Sequence, residues 1–160
     1  MYDFKFEGGD KAQFYRELLA AADALTAGER DGIANMANVS ALLFDWLADV
    51  NWAGFYRMMG DELVLGPFQG KAACIRISMG RGVCGTAAAR GETHLVQNVH
   101  EFLGHIACDA ASASEIVVPI IHEGAVVGVL DIDSPSIGRF DAEDQAGLEA
   151  LVALLTPRLI

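Results

Sequence analysis

The stretch EIVVPIIHEGAVVGVLDID, residues 115–133, decides the fold of this 160-residue chain. Its first segment, Glu115 to Ile121, is apolar and rich in β-branched residues, and so is its second, Ala125 to Asp133. A glutamate–glycine pair between the segments is typical of a tight turn. The stretch therefore predicts an antiparallel hairpin of two central strands, in which Pro119 indicates a bulge or a position without a paired N–H.

Helices are predicted before and after this hairpin. Residues 10–25 carry apolar side chains at helical spacing. Thr26 and Glu29 match a capping box, which predicts that a second helix begins there. Asp141, with Asp144 three residues later, is a good N-cap for a terminal helix. These segments predict helical layers against the sheet.

A second hairpin is predicted between the first helices and the central stretch. Its strands are residues 51–58, which are aromatic, and residues 63–65, which end at Gly66-Pro67. Residues 66–109 follow as the least regular part of the chain and contain all three cysteines. The order of elements predicts a single α+β domain over residues 1–160, with a mostly antiparallel sheet between helices.

Composition excludes several classes of partner. The formal net charge is -11, and such a surface repels phosphate backbones and anionic lipid. We therefore expect neither nucleic acid nor a membrane as partner. No apolar run approaches the roughly 18 residues of a membrane span, and the charged N-terminus does not look like a signal peptide. With an odd number of cysteines, we expect reduced thiols and a cytoplasmic location.

Cys74, Cys84 and Cys108 are candidates for redox chemistry because they share one loop-rich segment. Cys84 follows Arg81 at the start of a short predicted helix, which favours its thiolate. Three alternatives remain open: each cysteine is a small buried hydrophobe, Cys108 pairs with His105 as a nucleophile and base, or the thiols bind zinc. The zinc site would use the cysteines with His94, His100 and His105, but no paired metal-ligand spacing occurs.

Carboxylates supply a second candidate site. Asp131 and Asp133 lie two residues apart and therefore on one face of their strand. Counting back from the turn places Glu115 opposite roughly residues 131–133. The three side chains predict an acidic pocket that would hold an ammonium group and raise the pKa of one carboxyl. The alternative is that acidic residues at strand ends simply meet solvent.

Five motifs in the chain resemble those of a known family, the free methionine-(R)-sulfoxide reductases, which are stand-alone GAF domains. The motifs are NWAGFY (51–56), LGPFQGKAAC (65–74), GRGVCGTAA (80–88), HIACDAASASEIVVPI (105–120) and VLDIDSP (129–135). The resemblance implies a GAF fold, with about six strands flanked by helices on both faces, and a homodimer. It also implies reduction of free L-methionine-(R)-S-oxide with thioredoxin as the reductant, without a metal or an organic cofactor.

The resemblance also implies roles for individual residues, which we state as expectations. Cys108 resembles the nucleophile, Cys74 the resolving thiol and Cys84 a second recycling thiol. Glu115 and Asp133 resemble the groups that activate the sulfoxide, while Asp131 shapes the acidic pocket. Trp52 resembles the wall against the substrate methyl group, and we expect Tyr56 to contact substrate as well. The alternative function is a GAF sensor that binds a small ligand or reports oxidation.

Overall fold

The computed structural model describes residues 8–104 and 111–160. Its elements in chain order are helices α1 (Lys11–Thr26) and α2 (Gly32–Trp46), strands β1 (Trp52–Met59), β2 (Glu62–Gly70) and β3 (Arg76–Ser78), helix α3 (Gly82–Arg90), strands β4 (His94–Val96), β5 (Ser114–His122) and β6 (Ala125–Ser134), and helix α4 (Ala142–Leu155). Short 3-10 helices span Val99–Glu101 and Thr156–Arg158.

The six strands form one antiparallel sheet in the order β3-β2-β1-β6-β5-β4. The central stretch pairs as its sequence predicts: β5 and β6 are neighbours, and Glu115 lies directly opposite Asp133. The register shifts between Ile120 and Ile121, next to Pro119, where a bulge was one of the two predicted outcomes. The α+β class and the six-stranded sheet are confirmed.

Each face of the sheet packs against its own hydrophobic core. Helices α1, α2 and α4 cover one face, where Phe55 of β1 and Ile132 of β6 are buried. Helix α3 covers the other face, where Trp52 and Tyr56 of β1 are buried against Cys84. Successive residues of a strand point to opposite faces, so the three aromatic residues of β1 divide between the two cores. The second core is the one that carries the candidate site.

The predicted start of α2 is wrong. Thr26 is the last residue of α1, and its Oγ1 donates to the Ala22 carbonyl at 2.8 Å. Helix α2 begins six residues later, where the Asp31 side chain accepts from the Ala34 N–H at 2.9 Å. The hydroxyl of a threonine near a helix C-terminus can donate to a carbonyl of its own helix. Thr26 does so, and it therefore does not cap the helix that follows.

The predicted end of β2 is also wrong, because the strand continues past Gly66-Pro67 to Gly70. The register between β1 and β2 shifts here, with Gly54 paired to Phe68 and Tyr56 to Leu65. Strand β3 pairs only with residues 62–64, so Pro67 lies on the part of β2 beyond that pairing. A proline is tolerated at such an edge or bulge because no ladder hydrogen bond requires its N–H.

Helix α4 begins as predicted, with Asp141 as N-cap in a capping box with Asp144. Asp144 is buried, accepts from the Tyr15 hydroxyl at 2.8 Å and pairs with Lys11 at 2.6 Å. Burial and the nearby Asp144 carboxylate raise the pKa of Tyr15, so its hydroxyl remains a donor. These contacts join α4 to α1 on the face of the sheet away from the candidate site.

Candidate functional site

Three carboxylates meet on the α3 face of the sheet, as the hairpin register predicts. Glu115 of β5 is paired with Asp133 of β6, and Asp131 lies two residues along β6 on the same face. Glu115 and Asp131 are each only 6% exposed. A carboxylate oxygen of Glu115 lies within 4.8 Å of one of Asp131. The strand ends therefore hold a buried acidic cluster, and the alternative of ordinary solvent-facing acids does not apply to this pair.

Burial changes the ionisation of this cluster. It raises the pKa of Glu115 well above its ordinary value, and the carboxylates of Asp131 and Asp133 raise it further. Burial also raises the pKa of Asp131 to about 6, an effect opposed by hydrogen bonds with Cys84 and Glu115. These shifts favour a protonated Glu115 beside an ionised Asp131 at neutral pH. The cluster thus combines a protonated acid with a neighbouring carboxylate.

An aromatic wall stands beside the cluster on β1, where Trp52 is paired with Asp133. The Trp52 ring stacks on Phe68 at 5.1 Å between centroids and on Tyr56 at 6.0 Å. Phe68 is a contact that the sequence analysis missed. The sequence feature connected with this contact is Gly54, because a Cβ at that position would lie 2.3 Å from the Phe68 Cβ. Three rings therefore form one continuous apolar surface at the acids.

The same aromatic residues hold the segment that carries Cys74. Trp52 Nε1 donates to the Lys71 carbonyl at 3.0 Å, and the Tyr56 hydroxyl donates to the Cys74 carbonyl at 3.0 Å. Cys74 is partly buried. Two hydrogen bonds from the pocket wall thus place this thiol-bearing segment at the edge of the site.

A small pocket lies between these elements. The lining residues are Trp52, Tyr56, Lys71, Ala72, Ala73, Asp131 and Asp133. Four of them were expected substrate contacts. Lys71, Ala72 and Ala73 were not, and only their position next to Cys74 hints at them.

The expectation from the sequence that Cys84 favours its thiolate form is wrong. Its Sγ is buried at the start of α3, 4.0 Å from Glu115 Oε1. Burial and the carboxylates of Asp131, Glu115 and Asp133 raise the pKa of the Cys84 thiol well above its ordinary value. The helix N-terminus and Arg81 do not make it a thiolate, because desolvation and three nearby acids outweigh them.

Cys108, the expected nucleophile, lies outside the described residues, as do His105 and Asp109. Their predicted roles therefore stay predictions. Among residues 8–104 and 111–160, the donor atoms of Cys84, Glu115 and Asp131 form the one group with metal-like spacing, all within 4.8 Å of one another. In that described part of the chain, neither His94 nor His100 belongs to this group, so the cysteine–histidine zinc set considered from the sequence is not assembled there.

The described helices include none that is long and apolar enough to cross a membrane.

Comparisons with known proteins place this geometry in a family. The sequence model of the GAF domain matches residues 34–157. The chain is 57% identical over 146 residues to the free methionine-R-sulfoxide reductase of Escherichia coli (strain K12). That alignment covers 91% of this chain and 88% of the Escherichia coli protein. The chain is 44% identical over 154 residues to the free methionine-R-sulfoxide reductase of Saccharomyces cerevisiae (strain ATCC 204508 / S288c), with 91% and 86% covered.

Solved structures give the same result. The crystal structure of free methionine-R-sulfoxide reductase from Neisseria meningitidis in complex with its substrate superimposes with a TM-score of 0.95. That protein is 45% identical, and the alignment covers 99% of this chain and 96% of the other.

Proposed function

Because the chain belongs to the free methionine-R-sulfoxide reductases, which are GAF-domain oxidoreductases, we propose that it reduces free L-methionine-(R)-S-oxide to L-methionine with its own thiols. The observation that carries the proposal is the buried acidic cluster beside an aromatic-walled pocket. A sulfoxide sulfur is a poor electrophile until its oxygen receives a proton or a hydrogen bond. A carboxyl that stays protonated near neutral pH meets this requirement.

The acids divide their roles in this proposal. Glu115 and Asp133 activate the sulfoxide oxygen, with Glu115 as the group that holds the proton. Asp131 lines the pocket and offers its carboxylate to the substrate ammonium. Trp52 and Tyr56 form the apolar wall, and Trp52 faces the methyl group so that one epimer directs its oxygen towards the acids. Enclosure of the ammonium group excludes a methionine whose nitrogen is part of a peptide bond.

The thiol steps follow from the chemistry of sulfenic acids. The Cys108 thiolate attacks the sulfur of the protonated sulfoxide and forms a transient sulfur–sulfur bond. The hydroxyl group then passes from the substrate sulfur to the Cys108 sulfur as the sulfur–sulfur bond breaks, methionine leaves with the electron pair, and Cys108 is left oxidised to a sulfenic acid. The Cys74 thiol attacks this sulfenic acid, which releases water and forms a Cys74–Cys108 disulfide. Thioredoxin reduces that disulfide by exchange, and Cys84 serves as a second recycling thiol. The cycle needs neither a metal nor an organic cofactor, and we propose that the protein works as a homodimer.

Single-turnover chemistry tests this proposal. Reduced protein without added reductant is mixed with free methionine-(R,S)-sulfoxide, and the methionine formed is counted per chain. Cys108→Ser should produce none. Cys74→Ser should produce about one methionine per chain but lose thioredoxin-driven cycling, and the Cys74→Ser/Cys84→Ser double variant shows whether Cys84 replaces it. A full turnover by Cys108→Ser would remove Cys108 from the role of nucleophile.

The same mixture separates the reductase from a GAF sensor that binds a small ligand or reports oxidation. With dithiothreitol present, chiral analysis should show loss of the R epimer and retention of the S epimer. If both epimers persist with the wild-type protein, the sensor function is favoured instead.

A further inference from the structure

We propose that Cys84 is a positioning residue for the acidic cluster: its S–H donates to the Asp131 carboxylate and holds Asp131 in the ionised form that receives the substrate ammonium. The inference rests on the proposed function for its kinetic consequence, but the hydrogen bond itself can be tested without substrate. It gives Cys84 a task in the reduced protein, before any recycling step.

Geometry places this thiol within the cluster. Cys84 lies in the first turn of α3, and the Gly85 N–H donates to the Arg81 carbonyl at 3.0 Å, which fixes that turn. The Cys84 Sγ is 4.0 Å from Glu115 Oε1 and within 4.8 Å of a carboxylate oxygen of Asp131. The thiol, Glu115 and Asp131 are all buried, and their donor atoms lie within 4.8 Å of one another.

The other oxygen of Asp131 points to a ligand. Asp131 Oδ1 is buried and has no hydrogen-bond partner among the residues that the structure describes. A buried carboxylate oxygen without a partner is unfavourable, and a cationic ligand in the pocket would satisfy it. Because Asp131 also lines the pocket, this oxygen is the one we assign to the substrate ammonium.

The charges around the thiol explain why it donates. Burial is the largest cause of its raised pKa, followed by the carboxylates of Asp131, Glu115 and Asp133. Those three acids lie on β5 and β6, and Lys71 joins Asp131 and Asp133 at the pocket. The shorter strands β3 and β4, which also pack against α3, carry Arg76 and His94. A thiol in this setting keeps its proton and supplies a hydrogen bond, which favours the ionised form of Asp131.

A matched pair of variants separates this task from recycling. Neither Cys84→Ala nor Cys84→Ser can form a disulfide, but only Cys84→Ser retains a donor. The burst of methionine is measured without reductant, over a range of substrate concentrations, at pH 6 and at pH 8. At pH 6, the half-saturating concentration of Cys84→Ala should exceed that of wild type by about three- to fivefold, the effect of losing one modest hydrogen bond. Cys84→Ser should stay within about twofold of wild type.

The pH dependence adds a second criterion. At pH 8, Asp131 is ionised with or without the donor, so the three proteins should converge, while the maximal burst rates stay similar at both pH values. If Cys84→Ala and Cys84→Ser have the same half-saturating concentration at pH 6, the proposal is overturned and Cys84 acts only in recycling.

Infrared spectroscopy tests the hydrogen bond in protein that retains Cys84. The S–H stretching band of Cys84 is assigned by its absence from Cys84→Ser. It should lie at the lower frequency of a hydrogen-bonded thiol and move upward in Asp131→Asn. A band at the frequency of a thiol in an apolar solvent, unmoved by Asp131→Asn, would overturn the proposal even if Cys84→Ala does not fold. A wild-type protein that forms no methionine would reject the reductase function and leave this spectroscopic test intact.

Discussion

Asp131 Oδ1 is buried without a hydrogen-bond partner in the part of the chain that the structure describes, and this burial affects stability as well as binding. Burial raises the pKa of Asp131 from 3.8 to about 6. The unfolded chain ionises this carboxyl near its ordinary pKa, whereas the folded chain keeps the proton to higher pH. Folding stability that is fully present below about pH 4 is therefore lost as the pH rises towards 6.

Asp131→Asn should remove this pH dependence. The shift is about two pKa units, so the free energy of unfolding of the variant relative to wild type should rise by about 2–3 kcal/mol between pH 3.5 and pH 7. Urea denaturation at both pH values measures the difference. Asp61→Asn, in an exposed turn, removes one carboxylate outside the cluster and should change little. A constant difference for Asp131→Asn across this range would contradict the assigned cause.

At the scale of elements, the pairing of β1 with β2 builds the aromatic wall. The register shift between Gly54 and Tyr56 brings the backbone of Phe68 against Gly54. A Cβ at position 54 would lie 2.3 Å from the Phe68 Cβ and 2.7 Å from its Cα. Because the obstacle includes backbone, no rotamer change relieves it. The bulge and the glycine together allow Phe68 to reach Trp52.

Gly54→Ala should therefore displace β2 and separate Phe68 from Trp52. We expect a loss of about 1–3 kcal/mol in the free energy of unfolding, the usual effect of overpacking. The half-saturating concentration of substrate in the burst assay should rise as the wall loosens. Fluorescence of Trp52, one of two tryptophans, reports the stacking in a Trp46→Phe background. An unchanged spectrum and midpoint in Gly54→Ala would show that the strands absorb the extra methyl group elsewhere.

In the whole molecule, the larger hydrophobic core and the candidate site lie on opposite faces of the sheet. Helices α1, α2 and α4 cover the larger core on one face, while the acids, the aromatic wall and Cys84 occupy the other. Leu148 of α4 is fully buried in the first core. Trp52 belongs to the second and donates to the Lys71 carbonyl. Substitutions on the two faces should therefore have different consequences.

Leu148→Ala and Trp52→Phe test this separation. Leu148→Ala should lose about 2–5 kcal/mol of stability through the cavity it leaves, with an unchanged burst at a temperature where the variant is folded. Trp52→Phe keeps an apolar ring but loses the hydrogen bond to the Lys71 carbonyl, so its half-saturating concentration should rise while stability falls by only about 1 kcal/mol. If the two variants fold and show the same change in half-saturating concentration, the proposed difference between the two faces of the sheet is refuted.

Short-range sequence patterns determined the β5–β6 hairpin and the N-cap of α4. The alternation of β5 and β6 around a two-residue turn sets which side chains are opposite, so the meeting of Glu115 and Asp133 could be predicted from the sequence. The Asp141 cap of α4 was predictable for the same reason, since its partners lie within three residues. Side-chain period and turn chemistry are properties of neighbouring residues.

Only the tertiary structure decided what surrounds those side chains. Sequence neighbours suggested a thiolate at Cys84, but burial raises the pKa of its thiol, and so do Asp131 and Glu115, which lie more than 30 residues away in the chain. The same limit hid Phe68 and the extension of β2, which depend on a bulge opposite β1. A pKa and a close contact depend on burial and on distant charges. The sequence alone therefore determined that Glu115 and Asp133 meet, because hairpin register is local, and the tertiary structure decided the pKa of the buried groups around them.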